Sequence, residues 1–431
     1  RNESVGISEE EGRFVRCKVI IYMDETRRLV RMVYQVWNER GIGGLFRRVL
    51  TYALEYARGV WIRSPFFAPG EVLYISGCPG GSCRYRCDYQ AESLVRVGVR
   101  AVVMAQHNPH LEALAKKFRI FVLQRVVWNE RLAQTVMAIK QRGGTLLFET
   151  DDLVFDPAYL PYMDYYRHMV PREKQWYENG IGRELLEDAS MKRCIVSTDF
   201  LAEALRKKYP DKEVFVSYNK LGRAQVAAVE KALEEKSLSS RQDRKIRIGY
   251  FSGSRSHDKD FECVSDVLLR LLRENGQVVL VVVGHLDLSE KFDSVRLQVE
   301  KIPFVPIEKL PGLILSTDMS IAPLEVENPF CQAKSAIKFF EAGILGVPTV
   351  AAATGDFVRC IENRKNGFVA RTEEEWYSFL SKLISDRLLR ERLGAQARKD
   401  IIAHHTTMSS GTDTERLIAF LRREERIHTK S

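Results

Sequence analysis

The chain has 431 residues, 45% of them hydrophobic and 29% charged, with a formal net charge of +9. That length provides for two domains with a core each, both fractions are ordinary for a soluble globular protein, and no apolar run approaches the roughly 20 residues of a transmembrane helix. The positive balance favours anionic ligands such as nucleoside diphosphates, acidic glycans or a membrane surface. Nucleic acid would also suit the charge, but no nucleic-acid motif is recognised, and none is expected as a partner.

Residues 1–63 read as an N-terminal basic extension. Val19–Tyr22 suits a strand, and Arg27 to Tyr56 suits basic amphipathic helices around Gly41-Ile-Gly-Gly. Such a segment either packs on the main body, lies on a membrane surface or joins an upstream module. There is no secretory signal, and the chain starts at Arg1 rather than Met, so a module cut from a longer polypeptide is expected.

From Val72 the pattern alternates strand and helix over residues 64–229. The predicted strands are Val72–Ser76, Arg100–Met104, Ile120–Gln124, Thr145–Glu149, Cys194–Ser197 and Val214–Ser217, with a helix over Tyr89–Val97. Residues 230–244 are polar and charged, and we expect a linker there. A second α/β series over 245–405 has strands at Ile246–Phe251, Val278–Val283, Ile302–Val305, Met319–Ala322 and Pro348–Ala351. Strands spaced by helical patterns of this length imply parallel β-α-β units, hence two Rossmann-like halves. Residues 406–431 form a last helix that can cross back to the first domain. The eight cysteines cluster only at Cys78, Cys83 and Cys87. No C-x-x-C pair is present, so reduced structural thiols and a cytosolic setting are expected.

Three stretches carry candidate chemistry. After the first strand of the second series comes Tyr250-Phe-Ser-Gly-Ser-Arg-Ser-His-Asp-Lys-Asp-Phe. Gly253 lets backbone approach a phosphate, free amides donate to it, and Ser254, Arg255, His257 and Lys259 add donors and charge. Gly77-Cys-Pro-Gly-Gly-Ser-Cys-Arg-Tyr-Arg holds the equivalent place in the first series, without the G-x-G-x-x-G spacing of a dinucleotide site. Glu149-Thr-Asp-Asp-Leu ends the fourth strand. Its Asp151 and Asp152 suit contacts to sugar or acceptor hydroxyls or a general base, and a helix cap or salt bridge is the bland alternative. The most informative stretch runs from Asn328 to Ala351. Lys334, Lys338 and Glu341 fall at i, i+4 and i+7 of an expected helix, on one face, and Ile337, Phe340 and Ile344 on the face to be buried. Two cations and a carboxylate near a helix start can serve a phosphate and a sugar hydroxyl pair together. The bland alternative is a solvated helix with a Lys338–Glu341 ion pair.

Glu341-Ala-Gly-Ile-Leu-Gly-Val-Pro-Thr-Val resembles the nucleotide-sugar site of GT-B glycosyltransferases, especially the large retaining family four, and the resemblance extends from about Val72 to His404. The Lys-Ser-x-x-Lys-x-x-Glu form resembles a subgroup from bacterial surface-polysaccharide clusters. The family's first Glu falls at Ala333 in this chain. The resemblance implies a GT-B fold, two Rossmann-like domains facing a cleft, and transfer of a sugar from a nucleoside-diphosphate sugar to a glycan or lipid-linked acceptor with retention. It implies that Glu341 holds the donor ribose. Gly253, Ser254, Arg255, His257, Lys259, Lys334, Ser335 and Lys338 would face the diphosphate, Gly284 the base, and Asn328 the sugar side. Gly80, Gly81 and Ser82 would present amides to the cleft, and Arg84 or Arg86 would meet an anionic acceptor. No metal or cofactor is expected, and the work would take place in the cytoplasm or at the inner membrane face. An inverting transferase or epimerase would need a base among Asp151, Asp152 and His107. A non-catalytic sugar- or polymer-binding module of an assembly protein is the alternative from another class.

Overall fold

The computed structural model describes residues 49–64, 67, 70–78, 80–237, 243, 245–253, 258–409 and 415–428. The expected strand at Val19–Tyr22 and the helices before residue 49 lie outside the described residues. The chain divides into two units. The smaller contains a helix over 49–63 and the segment Asn108–His110. Within it, Asn108 Nδ2 donates to the Glu55 carbonyl at 2.8 Å, and the Tyr56 and His110 rings lie 4.9 Å apart.

The larger unit contains two six-stranded parallel sheets. In the first, β1 (Val72–Ser76), β2 (Ala101–Ala105), β3 (Ile120–Gln124), β4 (Thr145–Thr150), β5 (Arg193–Val196) and β6 (Glu213–Val216) take the order β2-β1-β3-β4-β5-β6. In the second, β7 (Ile246–Ser252), β8 (Val278–Gly284), β9 (Val299–Ile302), β10 (Met319–Ala322), β11 (Thr349–Ala352) and β12 (Phe368–Ala370) take the order β12-β11-β10-β7-β8-β9. The central strands β1, β3, β8 and β10 are buried along their whole length. Their sequences are near-continuous apolar runs because helices cover both faces of a parallel sheet.

Most predicted strands are found within a residue or two, with three larger differences. The strand expected at Ile302–Val305 is β9, ending at Ile302. Pro303 follows, and a residue without an N–H cannot extend the ladder. β12 is an edge strand of three residues that the pattern did not reveal. Residues 230–237, read as linker, continue the helix Arg223–Ser237. Ala, Glu and Lys are strong helix formers, so a charged run is not in itself a break. Val229 and Ala232 of this helix join the core of the second domain.

The last helix, Glu415–His428, lies against the first domain. Leu417, Phe420 and Leu421 complete a core with Val72, Tyr74, Ile120, Val122 and Phe215. Phe420 stacks on Phe215 at 5.4 Å, and Arg422 Nη2 donates to the Val97 carbonyl at 2.7 Å. Among the described residues, no helix is long and apolar enough to cross a membrane. Seven cysteines are described, all as free thiols.

Candidate active site

The C-terminal edge of the first sheet carries a polar cluster. Beyond β1 the chain turns at Gly80, whose φ of +100° is open to glycine at no steric cost. It then enters a helix that opens at Gly81–Cys83 and continues through a π-helical section, Arg84–Asp88. Ser82 Oγ donates to Asp151 Oδ2 at 2.6 Å and accepts from Gln124 Nε2 at 2.8 Å. Gln124 Oε1 in turn accepts from Ser76 Oγ at 2.7 Å. Thus β1, β3 and β4 are tied together at their ends. Arg125, immediately after β3, places Nη1 3.2 Å from Asp151 Oδ1 and 3.8 Å from Asp152 Oδ2. Its Nη2 donates to the Tyr177 hydroxyl at 3.3 Å. Burial would raise the pKa of Asp151, but Arg125, Ser82, Arg86 and Lys334 more than offset it and hold the carboxyl below its usual range. Arg125 went unread in the sequence. Its position just past a parallel strand was the available hint. His107 is exposed in the turn after β2.

Arg86 requires a correction. It was expected to approach an acceptor, but it is fully buried. Its Nε donates to Glu149 Oε1 at 2.6 Å, and Nη1 donates to the Ser217 carbonyl at 2.6 Å and Asn219 Oδ1 at 2.9 Å. A guanidinium enclosed by these partners has no surface to offer. Arg84, two residues earlier, remains half-exposed.

On the second sheet, Gly253 closes β7 with open space at its Cβ position. Ser254, Arg255 and His257 lie outside the described residues. Gly284, at the end of β8, has φ +100°, and a Cβ there would stand 1.9 Å from the Ser252 carbonyl oxygen. Only glycine lets the ends of β7 and β8 meet in this way. Asn328 caps the turn Pro329–Gln332. Its Oδ1 accepts from the Phe330 amide at 2.9 Å, and Nδ2 donates to Glu325 Oε1 at 3.1 Å.

The helix expected to begin before Lys334 begins at Ile337 and ends at Gly343. Asp356 Oδ2 accepts from the Ala336 amide at 2.7 Å and so fixes this start. Lys334 and Ser335 therefore stand in the preceding turn rather than on a shared helical face. Ala333 is fully buried, and its carbonyl accepts from Thr198 Oγ1 at 3.2 Å. The expected burial of Phe340 and Ile344 is observed, with Phe339 beside them, whereas Ile337 is only half-buried. Lys338 and Glu341 form no ion pair. The ammonium lies 4.9 Å from the Tyr250 ring centroid and is buried without a hydrogen-bond partner. Burial lowers the pKa of Lys338, with Asp260 and Glu341 pulling it back.

Glu341 is met by the first domain and by the helix that joins the two domains. Its Oε1 accepts from the Tyr85 hydroxyl at 2.8 Å and from Gln225 Nε2 at 3.2 Å. Burial raises the pKa of Glu341, against these two bonds and the charges of Lys338 and Arg84. Other candidates are met likewise. Lys334 Nζ donates to both oxygens of Asp152 at 3.2 Å and lies 4.5 Å from the Phe330 ring. Ser335 Oγ accepts from Asn219 Nδ2 at 2.7 Å, Lys259 pairs with Asp164 at 2.9 Å, and Asn328 Nδ2 donates to the Tyr162 carbonyl at 3.0 Å. Five predicted donor-side residues thus contact the first domain at the facing sheet edges. The arrangement offers cations, a carboxylate and free backbone at the carboxyl ends of parallel strands, where α/β folds bind ligands.

Asp260, Glu325 and Cys331 place ligand atoms within 4.8 Å of one another, the one such group among the described residues. Cys331 Sγ donates to Asp260 Oδ1 at 3.2 Å, and burial beside Asp260 raises the thiol's pKa.

Residues 231–400 match the family model described as "Glycosyl transferases group 1". No curated protein sequence matches the chain. Among solved structures, HepE of Anabaena in complex with UDP is similar at 15% identity and a TM-score of 0.54, covering 82% of this chain and 100% of its own. The sucrose-phosphate synthase of Thermosynechococcus elongatus gives 14% and 0.56 over 84% of this chain and 100% of its own. WaaG, a glycosyltransferase involved in lipopolysaccharide biosynthesis, gives 16% and 0.50 over 81% and 99%. Two parallel six-stranded domains with their carboxyl edges opposed, the second matching that family model, make this chain a glycosyltransferase of the GT-B fold.

Proposed function

We propose that the protein transfers a sugar from a nucleoside-diphosphate sugar to a glycan or lipid-linked acceptor, with retention, in the synthesis of a cell-surface polysaccharide or glycoconjugate. The observation that carries this reading is the cluster at the edge of the second sheet. Lys338 holds an ammonium with no hydrogen-bond partner, Lys334 stands one turn before it, and Glu341 lies on the same helix as Lys338. The family match spans all three. Solved relatives of the same fold hold UDP or UDP-glucose, and one acts in lipopolysaccharide biosynthesis.

In this reading Glu341 accepts the ribose hydroxyls. Gly253, Ser254, Lys259, Lys334 and Lys338 stabilise the charge that develops on the departing diphosphate. Preorganised donors in a dry cleft are worth about 2–4 kcal/mol each in the barrier. Asp151, kept ionised by Arg125 and Ser82, and Asp152 face the transferred sugar or acceptor. The transfer needs no bound metal, because lysines and amides meet the charge requirement.

Thermal-shift measurements with UDP, GDP, dTDP, CDP and ADP test the proposal. One diphosphate should stabilise the native chain and fail to stabilise Glu341→Ala. A folded chain that none of the five stabilises would overturn it.

A further inference from the structure

We propose that Tyr85, in the first domain, and Gln225, on the helix that joins the two domains, are positioning residues of the donor site. They fix the carboxylate of Glu341 across the cleft, so that ribose recognition is complete only when the domains are closed. This rests on Glu341 as the ribose-binding group.

Three observations support it. First, the two bonds to Glu341 end on the same oxygen. Tyr85 donates to Oε1 at 2.8 Å and Gln225 Nε2 at 3.2 Å. Both acceptor positions of that oxygen are occupied, so Oε2 is the oxygen left to receive sugar hydroxyls. Second, the two donors are themselves held in place. The Tyr89 hydroxyl donates to Gln225 Oε1 at 3.2 Å, which fixes the amide with its NH2 toward Glu341. The rings of Tyr85 and Tyr89 meet edge to face at 5.3 Å, and each of the three residues is less than a tenth exposed. Gly222 gives Tyr89 its room, since a Cβ there would stand 2.2 Å from the ring. Third, Tyr85 lies in the π-helical section Arg84–Asp88. A π-turn inserts a residue into the helix and re-aims the side chains, a device found often at functional sites.

Consequently the first domain contributes to nucleotide binding without touching the nucleotide. An Oε1 held by two donors cannot rotate, and its partner oxygen is aimed before the ligand arrives. In an open arrangement the Tyr85 hydroxyl would be withdrawn, and Glu341 would lose that orientation. Donor affinity and domain closure are therefore coupled.

The test is calorimetric titration of the full chain with UDP and with 2′,3′-dideoxy-UDP, for the native protein, Tyr85→Phe, Gln225→Met and Glu341→Ala. If another base gives the strongest thermal shift, its matched pair is used instead. Tyr85→Phe keeps the ring packed on Tyr89, and Gln225→Met removes the second donor independently. We expect each to weaken the ribonucleotide about three- to tenfold, as for loss of one hydrogen bond to a charged group that is only indirectly felt. The dideoxy compound should change less than about twofold, because the lost term acts through the ribose hydroxyls. Equal weakening of both nucleotides would reduce Tyr85 and Gln225 to packing and overturn the proposal. Tighter ribonucleotide binding in Tyr85→Phe would make the hydroxyl a competitor of the ribose and overturn it equally. If Glu341→Ala leaves the preference for ribose intact, the ribose-binding role of Glu341 fails, and this inference with it.

Discussion

Lys338 gives the sharpest prediction, because one substitution should move stability and catalysis in opposite directions. Its ammonium is buried, makes no hydrogen bond and is held by the face of Tyr250 at 4.9 Å. A buried donor without a partner costs about 1–3 kcal/mol, and a cation over an aromatic face returns about 0.5–2 kcal/mol. Lys338→Met keeps the length of the side chain while removing both. The net should be a gain near 1 kcal/mol, or about 2–4 °C in Tm for a domain of this size. The pKa of Lys338 is depressed by burial, so the fold is penalised wherever the free amine would be charged. The penalty is absent well above the unfolded pKa of lysine and appears as pH falls through it. The stabilisation by methionine should therefore shrink at strongly alkaline pH. In the reaction, loss of this cation from the leaving diphosphate should lower kcat about 10²–10³-fold. The assays are scanning calorimetry of the apo protein at two pH values and steady-state transfer with the donor named by the thermal-shift panel. A variant less stable than the native chain, or one that transfers at the native rate, would refute the reasoning.

Arg86→Met should destabilise the first domain by about 3–5 kcal/mol, because Glu149 is left enclosed without its partner. Arg86→Met combined with Glu149→Leu should regain most of that loss, measured by urea unfolding. His405 stacks on Phe340 at 4.3 Å, and its pKa is lowered from 6.5 to about 3 by burial, with Arg359, His404 and Lys220 adding to the effect. A depressed folded pKa gives stability that is present above pH 6.5 and is lost as pH falls toward 3. His405→Leu should flatten the Tm profile over that window, and an unchanged slope would exclude His405 as its source. Transfer should persist at full rate after exhaustive treatment with EDTA, whereas a loss restored by a divalent cation would replace the lysine-based account with a metal-based one.

The two sheets were legible because each central strand is wrapped on both faces and so appears as a continuous apolar run. β9 was misplaced where apolar residues continued past Pro303, and β12 is too short to form a pattern. The site was legible in part. Glu341, Lys338 and Lys334 lie close in sequence, and their charge in an apolar context drew attention. The start of their helix was not legible, because the group that fixes it, Asp356, lies 20 residues away. Arg86 follows a glycine-rich stretch in the sequence and looked exposed; its burial depends on Glu149, Ser217 and Asn219, which the fold brings from far along the chain. Tyr85 and Gln225 reach Glu341 over separations of 256 and 116 residues. No local pattern encodes such a meeting, and only the facing of two sheets creates it.

The last helix has a consequence for synthesis. Strands β1 to β6 leave the ribosome first, yet Leu417, Phe420 and Leu421, which complete their core, follow only after the whole second domain. The first domain can collapse during translation, but part of its apolar surface stays uncovered until the second domain and the helix after it have been made. A chain stopped before residue 415 would retain every candidate donor residue and still present that surface to chaperones and proteases. The helix at 415–428 thus links survival of the first domain to translation of the second.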